Sequence, residues 1–191
     1  MIVSLYDCFK PWSAKGSVFI ISDTHFDDID RPFMGYNISE QEQMNILKKY
    51  LHKNDTLIHL GDVGNPEYLQ TLKCYKILIK GNHDQTHTSI PDNYNWYHYF
   101  NEVYNGPLVI APKLVLSHEP VDVTWAINIH GHDHSGKTDM YHINLAPPHA
   151  GYQPFNLGKA IKEGCFANIE DIHRLTINYA SKHSIHRVEN L

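Results

Sequence analysis

Short, largely apolar runs recur along the chain, and each gives way abruptly to polar residues and glycine. Val18 to Ile21, Leu57 to Leu60, Ile77 to Ile79, Leu114 to Leu116 and Ala126 to Ile129 are the clearest. Runs of this length bounded by turn residues read as buried strands. Between the first two, Ser39 and Glu42 have the spacing of a capping box, and Met44, Leu47, Lys48 and Leu51 recur at helical spacing, which predicts a helix over about Glu40 to Leu51. Strands are predicted over Thr56 to Leu60 and Lys76 to Ile79, with a short helix opened by Pro66 and ending near Leu72. Such a β, α, β, α, β alternation implies parallel strands.

Beyond a polar, His- and Tyr-rich loop from Gln85 to Tyr99 the predicted strands follow one another without helices. Asn105-Gly106, between Glu102 to Tyr104 and Pro107 to Ile110, predicts a hairpin, because Asn-Gly suits a turn that needs positive φ. Leu114 to Ser117, Ala126 to Ile129 and Tyr141 to Asn144 continue the sheet. Ala146 to Gly164 is rich in Pro and Gly and reads as a surface connection. Asn168 can cap a last helix to about Ser181, with Ile169, Ile172, Thr176 and Tyr179 on one face. The expected organisation is a single domain over 1–191, with 1–16 an N-terminal extension and 146–191 a C-terminal connection and helix. No internal repeat is seen.

Composition narrows the class. A chain of 191 residues with 42% hydrophobic and 12% aromatic side chains can bury a full core. No apolar run approaches the roughly 20 residues that span a bilayer, and Met1 to Lys15 lacks a basic start followed by an apolar stretch, so neither membrane insertion nor secretion is expected. The three cysteines, Cys8, Cys74 and Cys165, are odd in number and widely spaced, which points to reduced thiols in the cytoplasm. A net charge of −5 without a Lys/Arg cluster argues against gripping long nucleic acid. Nothing in the pattern specifies an oligomeric state. The 15 histidines exceed what packing requires, and imidazole is the commonest metal ligand.

The polar residues after the apolar runs carry the chemistry. Asp23 and His25, one residue apart in a loop, can reach one ion, although such a pair alone is more often solvated. Asp62 follows Gly61, and its carboxylate has two oxygens that can each hold a different ion. A turn aspartate is the plainer reading of that dipeptide. Asn82, His83 and Asp84 pack an amide, an imidazole and a carboxylate into three positions after Gly81, more than a turn needs. His118 alone is compatible with a structural histidine, whereas His132 and His134 can point to one side of an extended loop and bind neighbouring ions. In an open α/β sheet, ligands bind beyond the carboxyl ends of the strands, where all five islands lie.

With these residues in view the chain resembles the calcineurin-like metallophosphoesterase superfamily, small single-domain bacterial or phage type. The signature Asp-x-His, Gly-Asp, Gly-Asn-His-Asp or Glu, lone His, Gly-His-x-His stands here in order from Ser22 to His134. The resemblance implies an α/β (α+β sandwich) fold, with two mixed β-sheets packed together and flanked by helices. It implies one metal held by Asp23, His25, Asp62 and His134, and a second by Asp62, Asn82, His118 and His132. His83 would face the substrate, oriented and kept protonated by Asp84. Asn82, His83 and Arg31 would contact substrate, although an arginine like Arg31 is more often in a surface ion pair.

The implied reaction is hydrolysis of small phosphomonoesters or phosphodiesters through a metal-bridging hydroxide, with His83 protonating the leaving alkoxide. The two divalent ions would be Mn first, with Fe, Zn or Ni as alternatives. A metal-dependent nuclease and a non-catalytic scaffold of the same fold are the competing readings. Many small members carry Gly-His after the first metal pair, where this chain has Asp27 and Asp28 after Phe26. Carboxylates there would repel a polyphosphate or nucleic acid, or form a solvated acidic turn. The segment from His87 to Phe100, with Tyr94, Trp96, Tyr97 and Tyr99, would be either a stacking wall for the substrate or packing against the sheet.

Overall fold

The computed structural model describes residues 3–4, 16–86, 95–111, 113–123, 125–136 and 138–166. Its elements are β1 (Val3–Ser4), β2 (Val18–Ile21), α1 (Glu40–Tyr50), β3 (Thr56–His59), β4 (Tyr75–Ile79), α2 (His83–Thr86), β5 (Glu102–Tyr104), β6 (Leu108–Ala111), β7 (Leu114–Leu116), β8 (Ile127–His130), β9 (His142–Asn144), α3 (Pro147–Ala150), β10 (Phe155–Asn156) and α4 (Leu157–Lys162). Short 3-10 turns lie at Pro66–Thr71 and Trp96–His98. The predicted capping box is present: the Ser39 side chain accepts from Glu42 N, and the Glu42 carboxylate accepts from Ser39 N.

Two mixed sheets form, in the orders β10-β2-β3-β4-β5 and β1-β6-β7-β8-β9. Strands β2, β3 and β4 are parallel, as the alternation predicted, and β5 adds to them in parallel as well. Alternate residues of each strand serve different layers. Val18, Ile20, Ile58, Leu60, Ile77 and Ile79 pack with Leu108, Ile110, Leu116 and Ile129 of the other sheet, while Phe19, Ile21, Leu57 and Leu78 pack with Met44 and Leu47 of α1. A strand buried on both faces needs no polar alternation, which is why these runs read as continuously apolar. Removing one such side chain, Ile58→Ala for example, costs about 2–5 kcal/mol.

Two expectations are corrected. Asn105-Gly106 does not close a hairpin: β5 pairs in parallel with β4 in one sheet, while β6 pairs with β7 in the other. The dipeptide carries the chain between sheets, and neither residue has the positive φ of the expected turn. Second, the stretch from Ala146 to Gly164 is more than a connection. It supplies β10, antiparallel to β2, and α4, which buries Leu157 and Ala160 and is capped by the Asn156 side chain. These elements are too short for periodicity to reveal. The helix expected over 168–181 lies outside the described residues, as do residues 1–2 and 5–15 of the N-terminal extension expected over 1–16. Among the described residues no helix is long and apolar enough to cross a membrane.

Candidate metal centre

The strand ends of both sheets converge. Asp23 and His25 follow β2, Gly61 and Asp62 follow β3, and Gly81 and Asn82 follow β4 and lead into α2 at His83. His118 follows β7, and His132 and His134 follow β8. Four of these residues lie in the left-handed region: Asp23 (φ 48°), His25 (φ 43°), Asp62 (φ 55°) and His132 (φ 64°). Each such non-glycine residue costs on the order of 1–3 kcal/mol and persists where the surroundings enforce it, typically at functional sites. Glycines allow the close approach of the loops. A Cβ at Gly131 would lie 2.0 Å from Asp23 Oδ2, and one at Gly61 would lie 2.3 Å from Gly81 N.

Donor atoms gather in two principal groups, Asp23–His25–His134 and Asp62–His118–His132, each with its ligand atoms within 4.8 Å of one another. In the second, Asn82 Oδ1 is 2.9 Å from His118 Nε2 and 3.1 Å from His132 Nδ1, and the two ring nitrogens are 3.1 Å apart. Ligands at right angles ~2.1 Å from one cation would be spaced by ~3 Å, so this clustering fits an ion. In the first, His134 Nε2 lies 3.5 Å and His25 Nε2 3.9 Å from Asp23 Oδ1. His25 Nε2 is buried with no hydrogen-bond partner, an imidazole nitrogen aimed between carboxylates as a metal ligand would be.

Asp62 joins the groups. Its Oδ2 is 3.3 Å from His118 Nε2 and 3.6 Å from His25 Nε2, while its Oδ1 accepts from His83 N at 2.9 Å. The expectation that each oxygen takes a different ion is thereby altered, since one oxygen faces both groups and the other is held by the backbone. His83 faces the same space and forms a further group with His25 and Asp62.

The electrostatics are strongly coupled. Burial would raise Asp62, but the hydrogen bond and charge of His118 hold it down at about 2. Burial would likewise lower His118, and Asp62 and Asp23 instead push it up to about 9. Asp23 stays below the usual carboxylate range despite full burial, because His134 and His118 oppose the desolvation. His118 Nδ1–H donates to Leu60 O at 2.8 Å, which turns Nε2 inward.

Two expected roles do not match the geometry. Arg31 is buried, and its five N–H directions are taken: Nη1 donates to Thr24 O and Gln43 Oε1, Nη2 to Ile38 O and Gln43 Oε1, and Nε pairs with Glu40. With the guanidinium also lying 4.4 Å over the Tyr36 ring, Arg31 fastens the 22–38 loop to α1 and has no fork left for phosphate. Asp84 does not brace His83 in the expected way. Its oxygens accept from Asp62 N, Val63 N and Gly81 N at 2.8, 2.9 and 2.9 Å, so it ties two of the donor loops together, and burial pushes it up to about 6. A carboxylate beside His83 Nδ1 is that of Asp28, at 3.9 Å.

In the acidic pair Asp27 is exposed, as in a solvated turn, and Asp28 is half-buried. Asp27 accepts from Asn65 Nδ2 and Tyr68 OH, and Asp28 lies against His25. Trp96 is buried near Phe100, so this part of the aromatic segment is packing, and Tyr97 is exposed. Residues 87–94 lie outside the described residues.

Sequence reasoning missed a supporting layer. His59, fully buried in β3, accepts from Gly61 N through Nδ1 and bonds Thr24 Oγ1 through Nε2 at 2.9 Å, and Thr24 in turn donates to Val63 O. The available signal was a histidine inside an otherwise apolar run. Tyr36 OH donates to Asp23 O, fixing that strained residue from above.

Residues 17–145 match the family described as the calcineurin-like phosphoesterase superfamily domain. The structure is similar to that of a protein of unknown function, AQ665 from Aquifex aeolicus, with a TM-score of 0.61 and 25% identity over 76% of this chain and 98% of that one. It is also similar to the nuclease MPE of Pseudomonas putida, with a TM-score of 0.46 and 21% identity over 63% of this chain and 62% of that one. No curated protein matches the sequence.

Proposed function

The chain belongs to the calcineurin-like phosphoesterase superfamily, and from that premise we propose that it hydrolyses small phosphomonoesters or phosphodiesters with the help of two divalent metal ions. The observation that carries the reading is the sharing of Asp62 Oδ2 between two donor groups, with His25 Nε2 on one side and His118 Nε2 on the other. One ion would be held by Asp23, His25, Asp62 and His134, the other by Asp62, Asn82, His118 and His132. Metal ions so bound supply Lewis acidity toward phosphoryl oxygens and lower the pKa of water.

The chain's own groups do the rest. His83, at the start of α2 and held at its backbone by Asp62, presents its imidazole to the shared space and transfers a proton to the departing ester oxygen. The Gly61 and Gly81 loops, tied by Asp84, keep the donors in register, so little reorganisation accompanies the reaction. Hard oxygen ligands mixed with imidazole and without thiolate favour Mn, with Fe, Zn and Ni able to substitute. Cys74 and Cys165 are unpaired, in keeping with a reducing cytoplasm.

Metal analysis combined with hydrolysis of bis-p-nitrophenyl phosphate and p-nitrophenyl phosphate, with added Mn²⁺ and with a chelator, tests the reading. About two bound metals and chelator-sensitive turnover are expected, with His83→Ala losing turnover while keeping metal. Two bound metals without hydrolysis of any ester would instead favour a scaffold. Faster cleavage of single-stranded DNA than of small esters would favour a nuclease.

A further inference from the structure

A cleft of about 260 Å³ opens beside the second donor group, reached past Asn82 and His118. Its floor and walls come from the end of β4, the crossing between the sheets, and the loop after β7. The volume lies just below the ~300–1,000 Å³ of ordinary small-molecule sites, which suits one ring system rather than a long chain. Ile79, Pro107 and Val121 give it apolar surface. Lys80, Asn105 and Glu119 add a donor, an amide and an acceptor. Among the described residues these three side chains make no hydrogen bond or ion pair, so their polar groups are available to a ligand. One cationic and one anionic side chain cancel formally, which disfavours a second phosphate.

We propose that this cleft is the subsite for the organic arm of the substrate, and that the arm is an uncharged, hydrogen-bonding ring system of nucleoside type. The inference rests on the phosphoesterase reading above and names a substrate class for it. The cleft is lined by Asn82 and His118, whereas His83 groups with His25 and Asp62. The arm bound in the cleft is therefore the one retained on phosphorus, and the ester oxygen protonated by His83 belongs to the other arm. Water adds its oxygen to phosphorus, the bond to the second arm breaks, and the products are a nucleoside-type monoester and an alcohol.

Gly106 provides the test. A Cβ built there meets nothing within 4 Å and the residue lines the cleft, so Gly106→Trp can obstruct it without a steric clash at the backbone. Dissociation constants of thymidine 5′-monophosphate and methyl phosphate, which share the phosphate, would be measured by calorimetry on Mn²⁺-loaded protein. The wild type should bind the nucleotide at least tenfold more tightly than methyl phosphate. Gly106→Trp should bring that ratio near one, as should Asn105→Ala combined with Glu119→Ala should the tryptophan variant fail to fold. A wild-type ratio near one, or a ratio unchanged in a folded variant, would overturn the subsite. Hydrolysis of methyl p-nitrophenyl phosphate, run in parallel, reports on the phosphoesterase reading alone, because binding can discriminate the arms even where turnover is absent.

Discussion

Oδ2 of Asp28 lies 3.0 Å from Nδ1 of His25, which fixes the imidazole with Nδ1–H donating to the carboxylate and Nε2 turned toward Asp23 and Asp62. A carboxylate behind a ligating histidine sets its tautomer and raises its basicity, and loss of such a partner typically lowers metal affinity 10- to 100-fold. Asp28→Asn should therefore weaken binding at the first group by about that factor. Its folding should be little changed, because the loop retains the Arg31 and Tyr36 contacts. Chelator competition with one and two equivalents of metal checks this, and equal affinities for variant and wild type would show that Asp28 does not support a ligand.

Arg31 is expected to act on stability and not on substrate. Replacing it by Met leaves Gln43, Glu40 and two backbone carbonyls without their donor, with Gln43 buried, at a cost of roughly 2–4 kcal/mol. Urea unfolding should show that loss. KM for a small phosphoester in the surviving folded protein should stay within about twofold, since a 1.4 kcal/mol loss of binding would already change it tenfold. A large rise in KM at unchanged stability would restore Arg31 to the substrate site.

The contrast between Arg31 and the seven donors shows what a sequence makes legible. The donors follow apolar runs at fixed places, and the fold needs those runs as strands buried on both faces, so strand ends and donor positions are specified together. Arg31 sits in a loop whose path depends on Thr24, Ile38 and Gln43, none of which is marked by periodicity. Asp84 was visible as chemistry but not in direction, because adjacency to His83 in sequence says nothing about where a carboxylate points at the start of a helix. Asn105-Gly106 failed for a related reason: local turn propensity cannot reveal that the strands on either side belong to different sheets.

His59 should impose an acid sensitivity on the fold. Burial pushes its imidazole down to about 3, while in the unfolded chain it titrates near the ordinary histidine value of 6.5. The unfolded state then binds an extra proton between those values, so this contribution is fully present above about 6.5 and lost as pH falls toward 3. The slope for one group approaches about 1.4 kcal/mol per pH unit. His59→Gln, which can still donate to Thr24 but leaves Gly61 N without its acceptor, should be less stable at pH 7 by about 1–3 kcal/mol. The gap should narrow as pH is lowered from 6.5 to 4, because the variant has no group to charge. Parallel stability–pH curves for the two proteins would sink this assignment.

Metal binding should be linked to proton release. In the metal-free protein His118 holds its proton up to about pH 9, because Asp62 and Asp23 outweigh the burial that would remove it. That proton's charge stabilises the metal-free fold below 6.5, and the stabilisation is lost as pH rises through about 9. A cation on Nε2 must displace it, so apparent affinity at the second group should rise with pH through neutrality and level off near 9, by up to about tenfold per unit for one proton. Stability should follow in the opposite sense to the metal-free protein: a metal concentration about 100 times the dissociation constant found at about pH 6.5 adds about 2.7 kcal/mol there, and the increment at that same concentration should grow with pH where the metal-free fold weakens. Calorimetric titrations with Mn²⁺ at pH 6.5, 7.5 and 8.5 in buffers of different ionisation enthalpy would measure both affinity and protons released. His118→Ala should abolish the pH dependence together with most of the second ion's affinity, whereas pH-independent binding by the wild type would remove His118 from the ligand set.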